Sequence, residues 1–254
     1  MNVYKTHKHL EPLYLCYALP MCGRYSLTSP EDAMRQLFDL PTLITGIISA
    51  AWATPRFNIA PTQTAPVLRQ AENGAGNELT AMTWGLIPSW SQEQSGGQIN
   101  ARSETAAEKP SFRDAYRRRR CLVPADGFYE WQKIDGSKQP YWISRADGAP
   151  FVFAGLWEDW MDGTAEPSPR FTILTSAASE ALRPIHHRMP IILGQQYFTA
   201  WLDPKQTPQE DLFAPEQAPE MRARPVSRRV NSPCNDDAAC LETDRIKPVQ
   251  GSLF

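Results

Sequence analysis

The sequence predicts an α+β fold, a single domain in which short helices flank a curved, barrel-like mixed β-sheet. Three observations lead there. Proline takes 23 of 254 positions, well above the usual ~5%; lacking a backbone N–H, it ends long helices and is kept out of central strands. Short runs rich in aromatic and β-branched residues recur between Gly, Pro and Asp, the punctuation of many short strands. No internal repeat or low-complexity linker divides the chain.

Taken in order, residues 1–20 lack a clear period and read as an N-terminal extension outside the mature protein, with the domain proper at 21–254. Ser29-Pro30-Glu31-Asp32 reads as a helix start, with Ser29 as cap, proline at the first helical position and acids in the first turn; the helix is expected to run to about Leu40. Strands are expected at Arg56 to Ile59, Thr64 to Arg69, Leu79 to Trp84, Arg120 to Val123, Gly127 to Trp131, Tyr141 to Ser144, Phe151 to Leu156 and Phe171 to Thr175. Helical stretches fit Ser111 to Tyr116, Ala178 to Leu182 and Gln195 to Leu202.

With 42% hydrophobic and 21% charged residues, the composition is that of an ordinary soluble chain. The longest uncharged stretch, Leu40 to Pro55, is shorter than a membrane span and bracketed by prolines. Lys5 and Lys8 precede an apolar patch from Leu13 to Leu19, but Glu11 and Pro12 lie between and no small-x-small site follows, so a non-secretory, cytoplasmic chain is expected. Its five cysteines, Cys16, Cys22, Cys121, Cys234 and Cys240, form no C-x-x-C pair and indicate neither a disulfide framework nor a zinc cluster. The formal net charge of −2 excludes a supercharged chain, yet it averages two unlike regions. Arg102 to Arg120 carries a local excess of +4 and Asp203 to Glu220 one of −4. Of the 26 basic residues, 19 are Arg, the side chain suited to bidentate phosphate recognition.

Several segments can carry chemistry, each beside a plainer reading. Cys22, if exposed as an N-terminal residue, places an α-amine and a thiol two carbons apart, able to condense with one aldehyde carbon as Schiff base and then thiazolidine; otherwise it is a small buried residue at a strand start. In Gly127-Phe128-Tyr129-Glu130-Trp131, alternation puts Phe128 and Glu130 on one face, where desolvation suits Glu130 to proton transfer, unless it points to water from an edge strand. His186 or His187 beside Arg188 is a general acid or base, a phosphate contact, or a solvated loop residue. Asn100 to Thr105 orders a substrate through hydrogen bonds or caps a helix. Arg117 to Arg120 is a phosphate site or a solvated run. In the segment Trp84 to Trp90, Trp90 is expected in the core, whereas Trp84 is either core or a platform for stacking bases.

Together Met21-Cys22-Gly23-Arg24-Tyr25, Arg56 to Pro61, Trp84 to Pro88, Asn100 to Thr105, Gly127 to Trp131, His186 to Pro190 and Pro225 to Asn231 resemble, in order and over Met21 to about Leu241, the SOS-response-associated peptidase family of abasic-site processing proteins. The resemblance implies a mixed α/β domain with a basic cleft for single-stranded DNA, needing no cofactor or metal and acting as a monomer. It further implies that the N-terminal cysteine captures the ring-opened aldehyde of an abasic site as a thiazolidine, shielding the lesion, that the crosslink is reversible, and that the residues before the cysteine are self-removed. Residue by residue, it implies Cys22 as nucleophile, Asn100 as hydrogen-bonding amide, Glu130 as catalytic acid and His186 as catalytic histidine. Arg24, Arg102 and Arg188 match backbone contacts to DNA, Pro61 and Trp84 elements near the displaced bases, and Thr175 a polar contact; Arg113 is a further phosphate candidate.

The segment from Met1 to Pro20 departs from the pattern, because the chemistry requires a free amine on Cys22. Either translation starts at Met21, the reading favoured here, or the chain is cut after Met21. Two rival functions compete: an N-terminal-nucleophile amidohydrolase using Cys22 as acyl acceptor, which leaves Asn100, Glu130 and His186 without roles, and a non-catalytic module binding single-stranded nucleic acid.

Overall fold

One strand closes the main sheet on itself. The computed structural model describes residues 22–38, 54–71, 76–92, 96–161, 163, 166–208, 210–214 and 218–244; the extension expected at residues 1–20 lies outside them. The hairpin of β3 (Thr64–Gln70) and β4 (Asn77–Trp84) pairs antiparallel from Thr64↔Thr83 to Gln70↔Asn77. On its other edge β3 pairs with β6 (Arg120–Ala125), β6 with β9 (Phe151–Trp160), and β9 with β10 (Ser168–Ala177), all antiparallel. β10 then returns to β4, parallel, at Arg170↔Thr83 and Phe171↔Trp84. The result is a five-stranded mixed barrel, which removes the open edges that invite aggregation.

Where β4 ends, β10 continues beside β5 (Asn100–Arg102), so Ile173, Leu174 and Thr175 align with Asn100, Ala101 and Arg102. The short strands β11 (Arg188–Pro190) and β12 (Ile192–Leu193) add to β10 and β9. A second, wholly antiparallel sheet orders β13 (Met221–Pro225), β8 (Ser137–Arg145), β7 (Gly127–Ile134), β1 (Tyr25–Leu27) and β2 (Arg56–Ile59). Its inner face packs on the barrel through Tyr25, Phe128 and Phe153, whose rings meet edge to face. Its outer face carries Tyr129 and half-buried Trp131 under the C-terminal segment, with Val226, Val230 and Cys240.

The helices are short, as the proline content requires: α1 (Glu31–Phe38), α2 (Ser103–Ala106), α3 (Arg113–Arg118) and α4 (Phe198–Leu202). The end expected for the first near Leu40 falls outside the described residues. Ser29 does not start that helix alone. Asp126, between β6 and β7, accepts from the backbone and hydroxyl groups of both Thr28 and Ser29, so a distant carboxylate organises the turn. The segment from Ala178 to Leu182, read as helical, is a turn: the hydrogen bonds from Leu182 and Arg183 to Ser179 are not continued as a helix, and His186 bonds back to Leu182 as the chain enters β11. Strands β1, β5, β11, β12 and β13 were not expected; each has at most five residues, too few for alternation to show.

The arginine run divides by position. Arg120 is buried and donates to the carbonyls of Tyr116, Arg117, Trp201, Asp203 and Gln206, pinning α4 to the barrel. Arg119 pairs with Glu158 at 2.5 Å. Arg117 and Arg118 are exposed. Among the described residues no helix is long and apolar enough to cross a membrane.

The loop between β4 and β5 is pinched at its base. Leu86 and Gln98 exchange two backbone hydrogen bonds, at 3.0 and 2.8 Å. Gly85 has φ +131°, and a Cβ there would lie 1.9 Å from the carbonyl oxygen of Gly96. Gly85→Ala is therefore expected to destabilise the fold by ~3 kcal/mol through strain and backbone displacement. Urea unfolding measures it; a change below ~0.5 kcal/mol contradicts the pinch.

Candidate active site

Cys22 enters β1 through an unusual conformation. Its φ is +44°, the left-handed region that costs a residue with a Cβ roughly 1–2 kcal/mol. The side chain is buried at 2% exposure. Burial, and secondarily the charge of Glu130, pushes its thiol well above the ordinary range. Pairing of Tyr25 with Phe128, and of the Tyr129 N–H with the Arg24 carbonyl, lays this segment along β7. The Cys22 backbone N–H then donates to Oε1 of Glu130 at 2.8 Å.

Glu130 lies on the inward face of β7 with Phe128, as alternation predicts, and is 4% exposed. Burial raises its carboxyl to about 8, against the lowering effect of hydrogen bonds from the backbones of Cys22 and Trp131. A group that gains or loses its proton near neutrality serves as general acid or base.

Two residues along β7, the Gln132 amide donates to the Pro184 carbonyl at 3.0 Å and ties the strand to the turn bearing His186. His186 is half-buried, its Nδ1 held by the N–H and carbonyl of Arg188 at 3.2 and 3.1 Å. Burial lowers its pKa, and the charges of His187 and Arg188 add to that, against the hydrogen bond to Arg188. The imidazole is thus neutral at neutral pH.

Arg188 is 9% exposed and forks onto Glu104 of α2 at 2.7 and 2.8 Å, while donating to the Thr175 carbonyl at 2.6 Å and hydroxyl at 3.3 Å. Thr175 is fully buried and donates to the Ala101 carbonyl at 3.4 Å. Asn100, Arg102, Thr175 and Arg188 therefore meet where β5 and β11 flank the end of β10. Asn100 is half-buried and Arg102 exposed. Half-buried Pro61 lies in the turn after β2, joined to β4 by the bond from the Thr62 N–H to the Trp84 carbonyl at 2.8 Å.

Three expected DNA contacts lie elsewhere. Trp84 is fully buried, stacked on Phe171 at 6.2 Å, its indole N–H on the Ile99 carbonyl at 2.9 Å, so it offers no face to a base. Trp90, expected in the core, is instead 67% exposed. The loop folds so that β4 directs its terminal Trp84 into the barrel and the tip carries the second indole outward. Arg24 is 5% exposed and donates to Asn58 Oδ1 at 3.0 Å and to the carbonyls of Val230 at 2.6 Å and Asn231 at 3.2 Å, so its guanidinium anchors the strand inside the protein. Arg113 is exposed on α3 beside Asp114 at 3.9 Å, with no tie to the other site residues. Among the described residues no cluster of three or more His, Cys, Asp or Glu is arranged to hold a metal.

A raised carboxyl pKa favours the folded state while protonated, and that advantage disappears as pH climbs from the unfolded value near ~4.3 through the folded value of about 8. Relative to the parent, Glu130→Gln is therefore expected to gain about 2–4 kcal/mol between pH 5 and pH 8. Urea unfolding at the two pH values measures the gain, and a pH-independent difference contradicts the buried acid.

Residues 21–233 match the model of the family described as SOS response associated peptidase (SRAP). Abasic site processing protein YoaM of Bacillus subtilis (strain 168) is 39% identical over 230 residues, 88% of this chain and 99% of its own. Abasic site processing protein HMCES of Gallus gallus is 34% identical over 220 residues, 74% of this chain and 66% of its own. A crystal structure of a protein from Bacteroides thetaiotaomicron superposes with a TM-score of 0.73 at 25% identity, covering 88% of this chain and 100% of that one. Family model, relatives and fold agree, and the chain belongs to the SOS response associated peptidase family.

Proposed function

We propose that this protein captures abasic sites in single-stranded DNA as a covalent thiazolidine on Cys22, and can release them again. The observation that carries the reading is the 2.8 Å contact from the Cys22 nitrogen to Glu130. Once the residues before Cys22 are removed, that nitrogen is an α-amine already seated on a carboxyl group that titrates near neutrality.

The steps balance on the residues present. Glu130 takes a proton from the ammonium, and the amine adds to the aldehyde carbon of the ring-opened sugar. Neutral His186 carries a proton from the adding nitrogen to the alkoxide, protonated Glu130 gives one to the departing hydroxyl, and water leaves as Glu130 recovers the remaining N–H proton, giving the imine. The thiol then adds across the C=N bond, sulfur to carbon and hydrogen to nitrogen, closing the five-membered ring with no further leaving group. The same proton transfers in reverse open it.

The strained φ at Cys22 supports the peptidase reading. That torsion is defined by the carbonyl carbon of Met21, so cleavage before Cys22 abolishes it and relieves the ~1–2 kcal/mol it stores. A start at Met21 followed by loss of that methionine gives the same mature end. Intact-mass analysis of protein from its native host is expected to show a chain beginning at Cys22; one that retains Met1 overturns the thiazolidine chemistry.

Arg102, Arg188 and the more distant Arg113 face the phosphates in this reading. Thr175 orients Arg188, Asn100 hydrogen-bonds the lesion, and Pro61 with exposed Trp90 meets the neighbouring bases. Arg24 acts from inside by seating the Cys22–Gly23 segment. Neutralising about three phosphates makes single-strand binding fall roughly twentyfold between 50 and 200 mM salt; a salt-independent affinity counts against these contacts.

The deciding experiment incubates the protein with abasic and intact single-stranded oligonucleotides and then denatures. A heat- and detergent-resistant adduct is expected only with the abasic strand and is abolished in Cys22→Ala. An adduct that persists in that variant makes another amine the nucleophile. Glutamine hydrolysis without DNA binding supports the amidohydrolase, and reversible binding of both strands alike supports the non-catalytic module.

A further inference from the structure

His187 takes no part in the chemistry above, yet its placement gives it one. Neighbouring residues of an extended strand point to opposite sides, but the turn before β11 brings the rings of His186 and His187 together, their centroids 4.4 Å apart and planes inclined by 34°. His187 is exposed and His186 half-buried. Because Arg188 holds His186 at Nδ1 through its own backbone, proton exchange with a ligand falls to Nε2, and the orientation of Nε2 depends on what supports the ring face.

The charged groups on the described segments tied to His186 are these. Its own turn bears Glu180 and Arg183; β11 bears Arg188, locked on Glu104 of α2; β7 bears Glu130, linked to the turn through Gln132 and Pro184. Arginine stays charged throughout, Glu104 is held below the usual carboxylate range by its hydrogen bonds to Arg188, and Glu130 titrates at about 8. Two imidazolium rings in contact repel, so a charge on His187 disfavours a charge on His186.

We propose that His187 is a positioning residue for His186: its ring, in contact with that of His186, buttresses one face of the imidazole, and a charge on it opposes a second charge there. The inference rests on the assignment of His186 to proton transfer in the crosslinking reaction. It implies that crosslinking and its reversal stay supplied with a neutral Nε2 site at pH values where an isolated histidine has begun to charge.

The test separates ring from charge. His187→Phe keeps a stacked ring without a proton to gain, and His187→Gln removes both. NMR titration of the full-length chain follows the four histidine rings, with His186→Gln assigning the resonance. Loss of the neighbouring cation is expected to raise the His186 midpoint by about 0.7 pH in both variants, the size expected for unit charges ~4 Å apart screened as in water. The acid limb of the pH profile for crosslinking to an abasic oligonucleotide is expected to move up equally in both, with His187→Gln alone losing a few-fold in plateau rate. A His186 midpoint in His187→Phe within ~0.2 of the parent overturns the role of charge, and equal plateau rates in the two variants overturn the buttress. If His186→Gln itself crosslinks with an unaltered profile, the assignment of His186 to proton transfer fails instead, and the NMR midpoints still decide the coupling.

Discussion

A carboxyl group held out of water against a main-chain nitrogen organises the candidate site. Glu130 is far enough inside to keep its proton near neutral pH, and its hydrogen bond to Cys22 fixes where the start of β1 can lie. Burial alone would leave a neutral acid with nothing to act on, and the hydrogen bond alone would favour an ordinary ionised carboxylate. The opposition of the two places its ionisation where a proton can be both taken and returned. Strand β7 supplies both conditions, because its inner face packs on the barrel through Phe128 while its edge pairs with β1.

The barrel matters to the site through β10. This one strand pairs with β9 on one side and with β4, then β5, on the other, and it carries β11 at its end. Residues from sequence positions near 100, 175 and 188 are thereby brought to one rim. The bidentate Glu104–Arg188 pair locks the rim, and buried Thr175 joins both to the barrel wall.

Much of this was legible beforehand because strand periodicity survives in long elements. The eight expected strands all exist, and Phe128 and Glu130 share a face as alternation requires. What sequence could not reveal depends on contacts between distant residues. Arg120 looks like one of four solvated arginines, and only the carbonyls of Trp201, Asp203 and Gln206 make it interior. Trp84 and Trp90 are chemically identical and six residues apart, and only the fold shows that the first is buried at the end of β4 and the second exposed beyond the Gly85 turn. The cap of α1 comes from Asp126, almost a hundred positions away, and no local pattern announces it. The neighbourhood of Cys22 and Glu130 was legible as chemistry, through the family resemblance, but not as a hydrogen bond.

Arg24 reaches across more than two hundred positions to the carbonyls of Val230 and Asn231, and the Asn58 amide donates to Val230 as well and to two further carbonyls, those of Ser232 and Asn235. The seat of the first residues of the domain is therefore made by nearly the last. During synthesis, Cys22 emerges long before the segment that holds its strand in place. A nascent chain that has not reached Val230 lacks the carbonyls that hold Arg24, so the seat of Cys22 and β1 is completed only late in synthesis, and a product truncated before them lacks it altogether.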